Sequence, residues 1–348
     1  MTAADEVVLE VADLRVEFRT DEGRVRAVRG VSFPLHRGEV LGIVGESGSG
    51  KSVTSLAVMG LLPSSARVSG SVRFGGRSGD AELLGASDSE LSAVRGRGIS
   101  MIFQDPMTSL NPVYTVGYQI AEAIRAHQDL TRDAARKRAV ELLDAVSIPH
   151  PSERVADYPH EFSGGMRQRV VIAIAMANHP EVIIADEPTT ALDVTVQAQI
   201  LEALRTARVQ TGAAMLLITH DLGVIAGQAD RVLVMYAGRV VEAGTVEEIF
   251  YTPRMPYTLG LLGSQPRLDA RTLRLHPISG APPSVTDMPP GCPFAPRCPL
   301  AAPVCQAQEP PLAVVGTSGH LSACHFSDRL DGLKPADLFR PVSRDTAP

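Results

Sequence analysis

The chain has 348 residues, a length that favours two domains over one. Hydrophobic residues make up 44% of it and aromatic residues only 4%, with no tryptophan, which is typical of a globular protein with an aliphatic core. The formal net charge of −6 argues against a nucleic-acid partner, because such proteins usually present a basic face. The sequence shows no secretory signal pattern and no apolar run long enough to span a bilayer, so we expect a soluble, cytoplasmic protein.

The N-terminal segment is predicted to be rich in β-strands. Residues 7–44 alternate apolar and polar positions around DEGR at residues 21–24, a pattern typical of strands joined by a turn. Residues 39–44 (EVLGIV) predict a buried strand, and residues 52–62 predict a helix.

The stretch between that strand and that helix is GESGSGKS at residues 45–52, which fits G-x-x-x-x-G-K-[S/T]. In such a loop, backbone N–H groups surround phosphate oxygens, the lysine neutralises the terminal phosphates and the final hydroxyl ligates Mg²⁺. The strand before it and the helix after it argue against a chance glycine-rich turn. The predicted phosphate-binding residues are Gly45, Ser47, Gly48, Ser49, Gly50, Lys51 and Ser52, with Ser52 also an Mg²⁺ ligand.

Helical patterns follow in the middle of the chain. Residues 116–148 read as helical, with Thr131 as an N-cap. FSGGMRQR at residues 162–169 opens a further helix, and Ser163, Gly164 and Gly165 form its N-terminal end. Free N–H groups and the helix dipole make such an end a site for anions, although an isolated SGG is more often a plain N-cap.

A second strand ends in acidic residues: VIIADE at residues 182–187. After a phosphate-binding loop, Asp186 is expected to hold Mg²⁺, directly or through water, and Glu187 to polarise an attacking water. Taken alone, this pattern fits equally well a strand followed by a solvated acidic turn. Residues 215–218 predict another buried strand, and residues 230–242 predict a hairpin that turns at Ala237 and Gly238.

Beyond about residue 253 the composition changes, with dense proline and fading periodicity. All four cysteines lie here, with the spacing C-x₅-C-x₆-C-x₁₈-C, and the 291 positions before Cys292 contain none. Structural disulfides are rare in the cytoplasm, which favours a metal site. Zinc sites usually use closer cysteine pairs, an iron–sulfur cluster accepts four separate thiolates, and unreactive free cysteines remain the third alternative.

Six motifs, in this order, resemble those of the nucleotide-binding subunits of ABC transporters. They are GESGSGKS (Walker A), Gln104 in IFQDP (Q-loop), FSGGM (signature), VIIADE (Walker B), ALD at residues 191–193 (D-loop) and His220 in LITHD (switch histidine). The resemblance implies an α/β P-loop NTPase fold for residues 1–252. Its parts would be a RecA-like core, an antiparallel β subdomain and a helical signature subdomain at about residues 105–178. It also implies that Glu187, His220 and Gln104 serve hydrolysis and that Gln104 lies beside Mg²⁺.

The chain departs from that family pattern at two places. Met166 stands where the family has glutamine, and it cannot make the polar contact of that amide. No aromatic residue occupies the expected adenine-stacking place. Phe18 is the nearest candidate, with Val25 as the other.

Longer segments narrow the resemblance to the ATPase subunits of bacterial oligopeptide and dipeptide importers: QDPMTSLNP, YTPRMPYTLGLL and PGCPFAPRCP. It implies ATP-driven peptide import by a peripheral protein on the cytoplasmic face of the membrane. The expected partners are a second, different ATPase subunit, two membrane permeases contacted after Gln104 and an extracytoplasmic peptide-binding protein, with no nucleic acid. The alternatives are an importer for nickel, a sugar or another solute, a regulatory P-loop protein and a soluble ABC ATPase that acts on nucleic acids.

The resemblance also bears on the cysteines, because family members with this tail are associated with a [4Fe-4S] cluster. We therefore expect Cys292, Cys298, Cys305 and Cys324 to hold such a cluster, with zinc as the alternative. The cluster would stabilise a small irregular C-terminal domain of residues 253–348, a regulatory or metal-binding domain, at a distance from the ATP.

Overall fold

The computed structural model describes residues 6–20, 23–77, 79–190, 192–265, 276–284, 286, 288–316 and 319–339. Asp21 and Glu22 of the predicted turn, and Ala191 of the predicted D-loop, lie outside these residues. The strands are β1 (Val7–Thr20), β2 (Gly23–His36), β3 (Val40–Val44), β4 (Ala66–Gly76), β5 (Gly79–Glu82), β6 (Ile99–Ile102), β7 (Val182–Asp186), β8 (Ala214–Thr219), β9 (Arg231–Tyr236), β10 (Arg239–Thr245), β11 (Ala313–Val314) and β12 (Leu321–Ser322). The helices are α1 (Lys51–Val58), α2 (Asp88–Val94), α3 (Pro106–Ser109), α4 (Val116–Arg125), α5 (Arg132–Ala145), α6 (Pro151–Arg154), α7 (Gly164–Met176), α8 (Val194–Thr211), α9 (Leu222–Gln228), α10 (Val246–Tyr251), α11 (Pro256–Gly263), α12 (Pro303–Ala307) and α13 (Pro335–Leu338).

The N-terminal strands form an antiparallel sheet in the order β2-β1-β4-β5. Its first two strands alternate buried and exposed residues, as expected for a sheet with one face in the core. Phe18 and Val25, the two candidates for the adenine contact, are cross-strand partners near the end of this hairpin. Both are partly buried.

The larger sheet has the order β11-β12-β10-β9-β3-β8-β7-β6. Strands β6, β7, β8, β3 and β9 run parallel, and every residue of β3, β7 and β8 is buried, which explains their unbroken apolar sequences. Parallel strands end at the same edge of a sheet, so the loop after β3, the acids after β7 and the residues after β8 come together there.

A helical subdomain follows β6 and comprises α3 to α7. The predicted helical stretch at 116–148 is two helices, α4 and α5, and Thr131 caps the second by accepting a hydrogen bond from the Ala134 N–H. Helix α7 is buried on most of its surface against α3, α4, α5 and α8. Within the described part of the chain, no helix is both long enough and apolar enough to cross a membrane.

The C-terminal extension is defined here as residues 253–348, and those of its residues that the structure describes pack against the larger sheet. Strand β12 pairs with β10, where Glu242 faces Ser322, and β11 extends the same edge. Tyr257 and Phe294 are fully buried in the same apolar core as Tyr236. The extension therefore has little separate core of its own and is anchored by long-range contacts.

Candidate functional site

The loop at residues 45–52, called the phosphate-binding loop below, leaves no space for side chains at two glycines. A Cβ atom on Gly45 would lie 2.2 Å from the carbonyl oxygen of Met235, and one on Gly50 would lie 2.6 Å from that of Ala27. Gly50 also has a left-handed φ of 99°. The glycines therefore permit the tightly curled backbone that a loop around phosphate oxygens requires. The hydroxyl oxygen of Ser49 is buried and has no hydrogen-bond partner among the described residues.

Lys51 crosses this loop. Its Nζ donates hydrogen bonds to the carbonyl oxygens of Gly45 at 2.8 Å and Glu46 at 3.0 Å, and it lies 4.0 Å from Glu187 Oε1. Burial lowers the pKa of Lys51, while the carboxylates of Glu187 and Asp186 oppose that shift. A buried cation is thus placed where incoming phosphates would meet it.

Ser52 and Asp186 lie side by side, although 134 positions separate them in the chain. The Ser52 hydroxyl donates to Asp186 Oδ1 at 3.0 Å, and the Ser55 hydroxyl donates to Oδ2 at 3.4 Å. Burial raises the pKa of Asp186, and the two hydroxyls oppose the shift. The Ser52 hydroxyl and the Asp186 carboxylate thus place two oxygen atoms side by side, and Mg²⁺ prefers oxygen ligands.

The Glu187 carboxylate contacts the two other residues that are predicted to serve hydrolysis, His220 and Gln104. His220 Nδ1 lies 3.2 Å from Glu187 Oε2, and Gln104 Nε2 donates to the same oxygen at 3.5 Å. Thr190 donates to the same oxygen at 2.7 Å, and no sequence motif predicts this contact.

The backbone at Glu187 is strained. This residue has a left-handed φ of 47°, which costs energy in a residue other than glycine and is typical of functional sites. Its N–H donates to the Ile218 carbonyl at 2.8 Å, so strand β8 holds the carboxylate in this position.

The predicted signature residues lie apart from this cluster. Ser163 caps α7 by accepting a hydrogen bond from the Met166 N–H, and Gly165 packs so closely on α8 that a Cβ atom would lie 2.4 Å from Val196. Within the described residues, no hydrogen bond or ion pair joins Ser163, Gly164 or Gly165 to the phosphate-binding loop or to Glu187. His220 remains 57% exposed at its side chain, so the cluster is open on one face.

The four cysteines line one small pocket together with Met255, Pro256 and Phe294. Burial raises the pKa of Cys298 to about 12 and that of Cys324 to about 11, and it also raises the pKa of Cys292. The backbone N–H of Phe326, two residues after Cys324, donates to the Cys324 sulfur at 3.3 Å. Such bonds stabilise thiolates and are common around sulfur-bound metal.

The described residues contain no group of three or more histidine, cysteine, aspartate or glutamate side chains that could hold a single metal ion. One side chain links the cysteine segment to the phosphate-binding loop. Arg297, next to Cys298, donates to both carboxylate oxygens of Glu46 in the phosphate-binding loop, at 2.7 and 2.9 Å. This ion pair spans 251 positions and has no local sequence signal.

Two families match the chain. The family described as "ABC transporter" matches residues 28–190, which include the phosphate-binding loop, the signature and Glu187. The family described as "Oligopeptide/dipeptide transporter, C-terminal region" matches residues 241–305, which include Cys292, Cys298 and Cys305.

Curated relatives resemble this chain over most of its length. The "Oligopeptide transport ATP-binding protein OppD" of Mycobacterium tuberculosis is 58% identical over 96% of the chain, which spans only 54% of that relative. The chain thus spans about half the length of this mycobacterial protein. The "Dipeptide transport ATP-binding protein DppD" of Bacillus subtilis is 53% identical over 93% of this chain and 96% of its own length. OppD of Salmonella typhimurium is 52% identical over 91% of this chain and 93% of its own length.

Among solved structures, the dimeric ATP-binding cassette MJ0796 bound to ADP and Pi is similar, with a TM-score of 0.60 and 26% identity. The match covers 68% of this chain and 98% of that one. This similarity confirms the predicted α/β fold of the ATPase part. Together, these matches show that the chain belongs to the ABC transporter ATP-binding proteins of the oligopeptide/dipeptide type.

Proposed function

We propose that this chain is the ATP-hydrolysing subunit of an ABC importer for oligopeptides or dipeptides. The observation that carries the proposal is the convergence of Gln104, His220 and Thr190 on one oxygen of Glu187, beside the buried Lys51. The substrate class follows from the relatives, whose names describe oligopeptide or dipeptide transport.

The phosphate-binding loop would take up the triphosphate of ATP. Its backbone N–H groups and Lys51 offer hydrogen bonds and positive charge to the phosphate oxygens. Ser52 and Asp186 fit Mg²⁺ by their chemistry and their contact, and the bound ion would neutralise charge on the phosphates.

Glu187 would act as the general base toward the attacking water. Its carboxylate follows strand β7 and is oriented by the donors that meet Oε2. A base must be held within hydrogen-bond reach of the proton it removes, and these contacts fix its direction. His220 and Gln104 would thus help to position Glu187.

A second ATPase subunit would cover the open face of the site. Ser163, Gly164 and Gly165 would complete the partner's site, and the partner's equivalent residues would complete this one. We propose a heterodimer of two different ATPases, as expected from the resemblance to peptide importers. The dimeric structure of MJ0796 is consistent with pairing of such folds.

This arrangement predicts that ATP hydrolysis depends on the partner. The purified chain alone should hydrolyse ATP slowly, and addition of the partner ATPase with both permeases should raise the rate at least about tenfold, since the missing donors arrive from the second subunit. Steady-state phosphate release with and without the partners measures this effect. A high rate that the partners do not change would contradict the shared site.

Exposed apolar residues that follow Gln104 in the chain would contact the permeases. Met107, Val113, Tyr114 and Tyr118 are exposed there, and the two tyrosine rings stack with their centroids 4.8 Å apart. Exposed patches of this kind often mark protein interfaces. We propose that this surface receives a helix of each membrane permease, which would place the chain peripherally on the cytoplasmic face of the membrane. A peptide-binding protein on the other side would deliver the substrate.

We further propose that the cysteine pocket holds a [4Fe-4S] cluster. Four thiols line one pocket, and the Phe326 N–H donates to one of the sulfurs, that of Cys324. The wide sequence spacing suits a cluster that binds each thiolate to a different iron atom. Cys292 and Cys298 before α12, Cys305 in α12 and Cys324 after β12 would hold the cluster, which would stabilise the extension.

Anaerobic purification should therefore give a brown protein with about four iron and four sulfide per chain. Metal analysis and visible absorbance measure this, and Cys305→Ser should lose most of the iron. A colourless protein with stoichiometric zinc, or a protein without metal under these conditions, would contradict the cluster proposal.

A further inference from the structure

Glu46, the second residue of the phosphate-binding loop, is held through three of its groups. Its carboxylate accepts the two hydrogen bonds from Arg297, its N–H donates to Tyr257 Oη at 2.8 Å, and its carbonyl accepts from Lys51 Nζ. Two of these three partners, Tyr257 and Arg297, belong to the C-terminal extension. The extension thus fixes both the backbone and the charge of this loop residue.

Arg297 is itself fixed within the extension. Its side chain is only 5% exposed, and it also donates to Tyr236 Oη and to the Ser279 carbonyl, each at 3.2 Å. The guanidinium lies 5.9 Å from the ring centroid of Phe294. Arg297 ends a short helical turn within the segment 292–298, called the cysteine loop below, which begins and ends with a cysteine. Any rearrangement of the cysteine loop would move this arginine.

A second contact joins the extension to the opposite side of the site. Gln265 Nε2 donates to Asp221 Oδ1 at 3.3 Å, and Asp221 directly follows His220. The extension therefore touches both the phosphate-binding loop and the segment of the switch histidine.

We propose that Arg297 is a positioning residue for the phosphate-binding loop, through which ATP affinity depends on the integrity of the cysteine loop. Removing the arginine leaves the Glu46 carboxylate without its partner, within the loop that would accept a highly anionic ligand. An unpaired charge in such a partly buried place is unfavourable in itself, and it repels phosphate. The inference rests on the proposed function, because it assigns this loop to ATP.

The test is to measure the equilibrium binding of ATP to the full chain by calorimetry. Arg297→Ala should raise the Kd for ATP by about tenfold, and Glu46→Gln in the same chain should restore most of the affinity, because it removes the unpaired charge. Arg297→Lys should give a smaller loss, since lysine keeps the charge but lacks the two-pronged geometry. Cys298→Ser should also raise the Kd for ATP, and adding Glu46→Gln to this variant should again relieve the loss of affinity.

Arg329→Ala is the matched control, because this exposed arginine lies in the same extension and contacts Phe326 rather than the ATP site. Its Kd should equal that of the unaltered chain. An unchanged Kd for Arg297→Ala would overturn the inference. So would a loss that Glu46→Gln does not relieve, because that result would indicate general loosening of the extension. If Lys51→Ala still removes ATP binding in these preparations, the proposed function stands even where the inference fails.

Discussion

Replacing Lys51 with alanine should raise the Kd for ATP at least about a hundredfold, which corresponds to about 3 kcal/mol of lost binding free energy. The Lys51 side chain is 4% exposed and two carbonyl oxygens of the phosphate-binding loop hold its ammonium group, which is therefore positioned before the ligand arrives. No other lysine or arginine among the described residues hydrogen-bonds to these carbonyls. Alanine would remove both the charge and the hydrogen bonds that the phosphates would otherwise gain.

Calorimetry on the assembled transporter measures this effect. Lys137→Ala is the matched control, since Lys137 is an exposed lysine on α5 in the helical subdomain. It should bind ATP normally. An unchanged Kd for Lys51→Ala would mean that residues 45–52 do not bind the phosphates.

Replacing Glu187 with glutamine should leave ATP bound but slow its hydrolysis by at least about a hundredfold. Glutamine has nearly the same shape, so it can occupy the left-handed backbone position and keep a contact with Thr190. It lacks the basic oxygen that would accept a proton from water. The ATP-bound, closed dimer of ATPases should therefore accumulate.

Single-turnover hydrolysis by the assembled transporter, with the ATP Kd measured in parallel, separates chemistry from binding. Glu202→Gln is the control, because Glu202 is an exposed glutamate on α8 that contacts Arg205 at 3.9 Å. It should hydrolyse ATP at the normal rate. Normal turnover by Glu187→Gln would assign the chemistry to the partner's site instead.

The core of the fold and the parts of the site carried by motifs could be predicted from the sequence. Buried parallel strands have long apolar runs, and these runs predict β3, β7 and β8. Each predicted strand end lies within one residue of the observed end. The hairpin of β9 and β10 turns at Ala237 and Gly238, as predicted. Since parallel strands end at the same edge of a sheet, motifs far apart in sequence could be assigned to one site.

The extension could not be predicted in the same way. Strands β11 and β12 are two residues long, too short for any alternation, and they form only because β10 offers an open edge. The anchors Tyr257 and Phe294 are single aromatic residues rather than one face of a repeating pattern. The contact of Thr190 with Glu187 depends on the turn after β7, which apolar periodicity does not describe.

The most direct test of the central claim is ATP-dependent uptake of a labelled oligopeptide by vesicles that contain the assembled transporter and its peptide-binding protein. With the unaltered chain, uptake should require both ATP and the binding protein. With Glu187→Gln, uptake should fall to the level measured without ATP, although ATP still binds. Peptide uptake that continues at the normal rate with Glu187→Gln, or that never depends on this chain, would contradict the account.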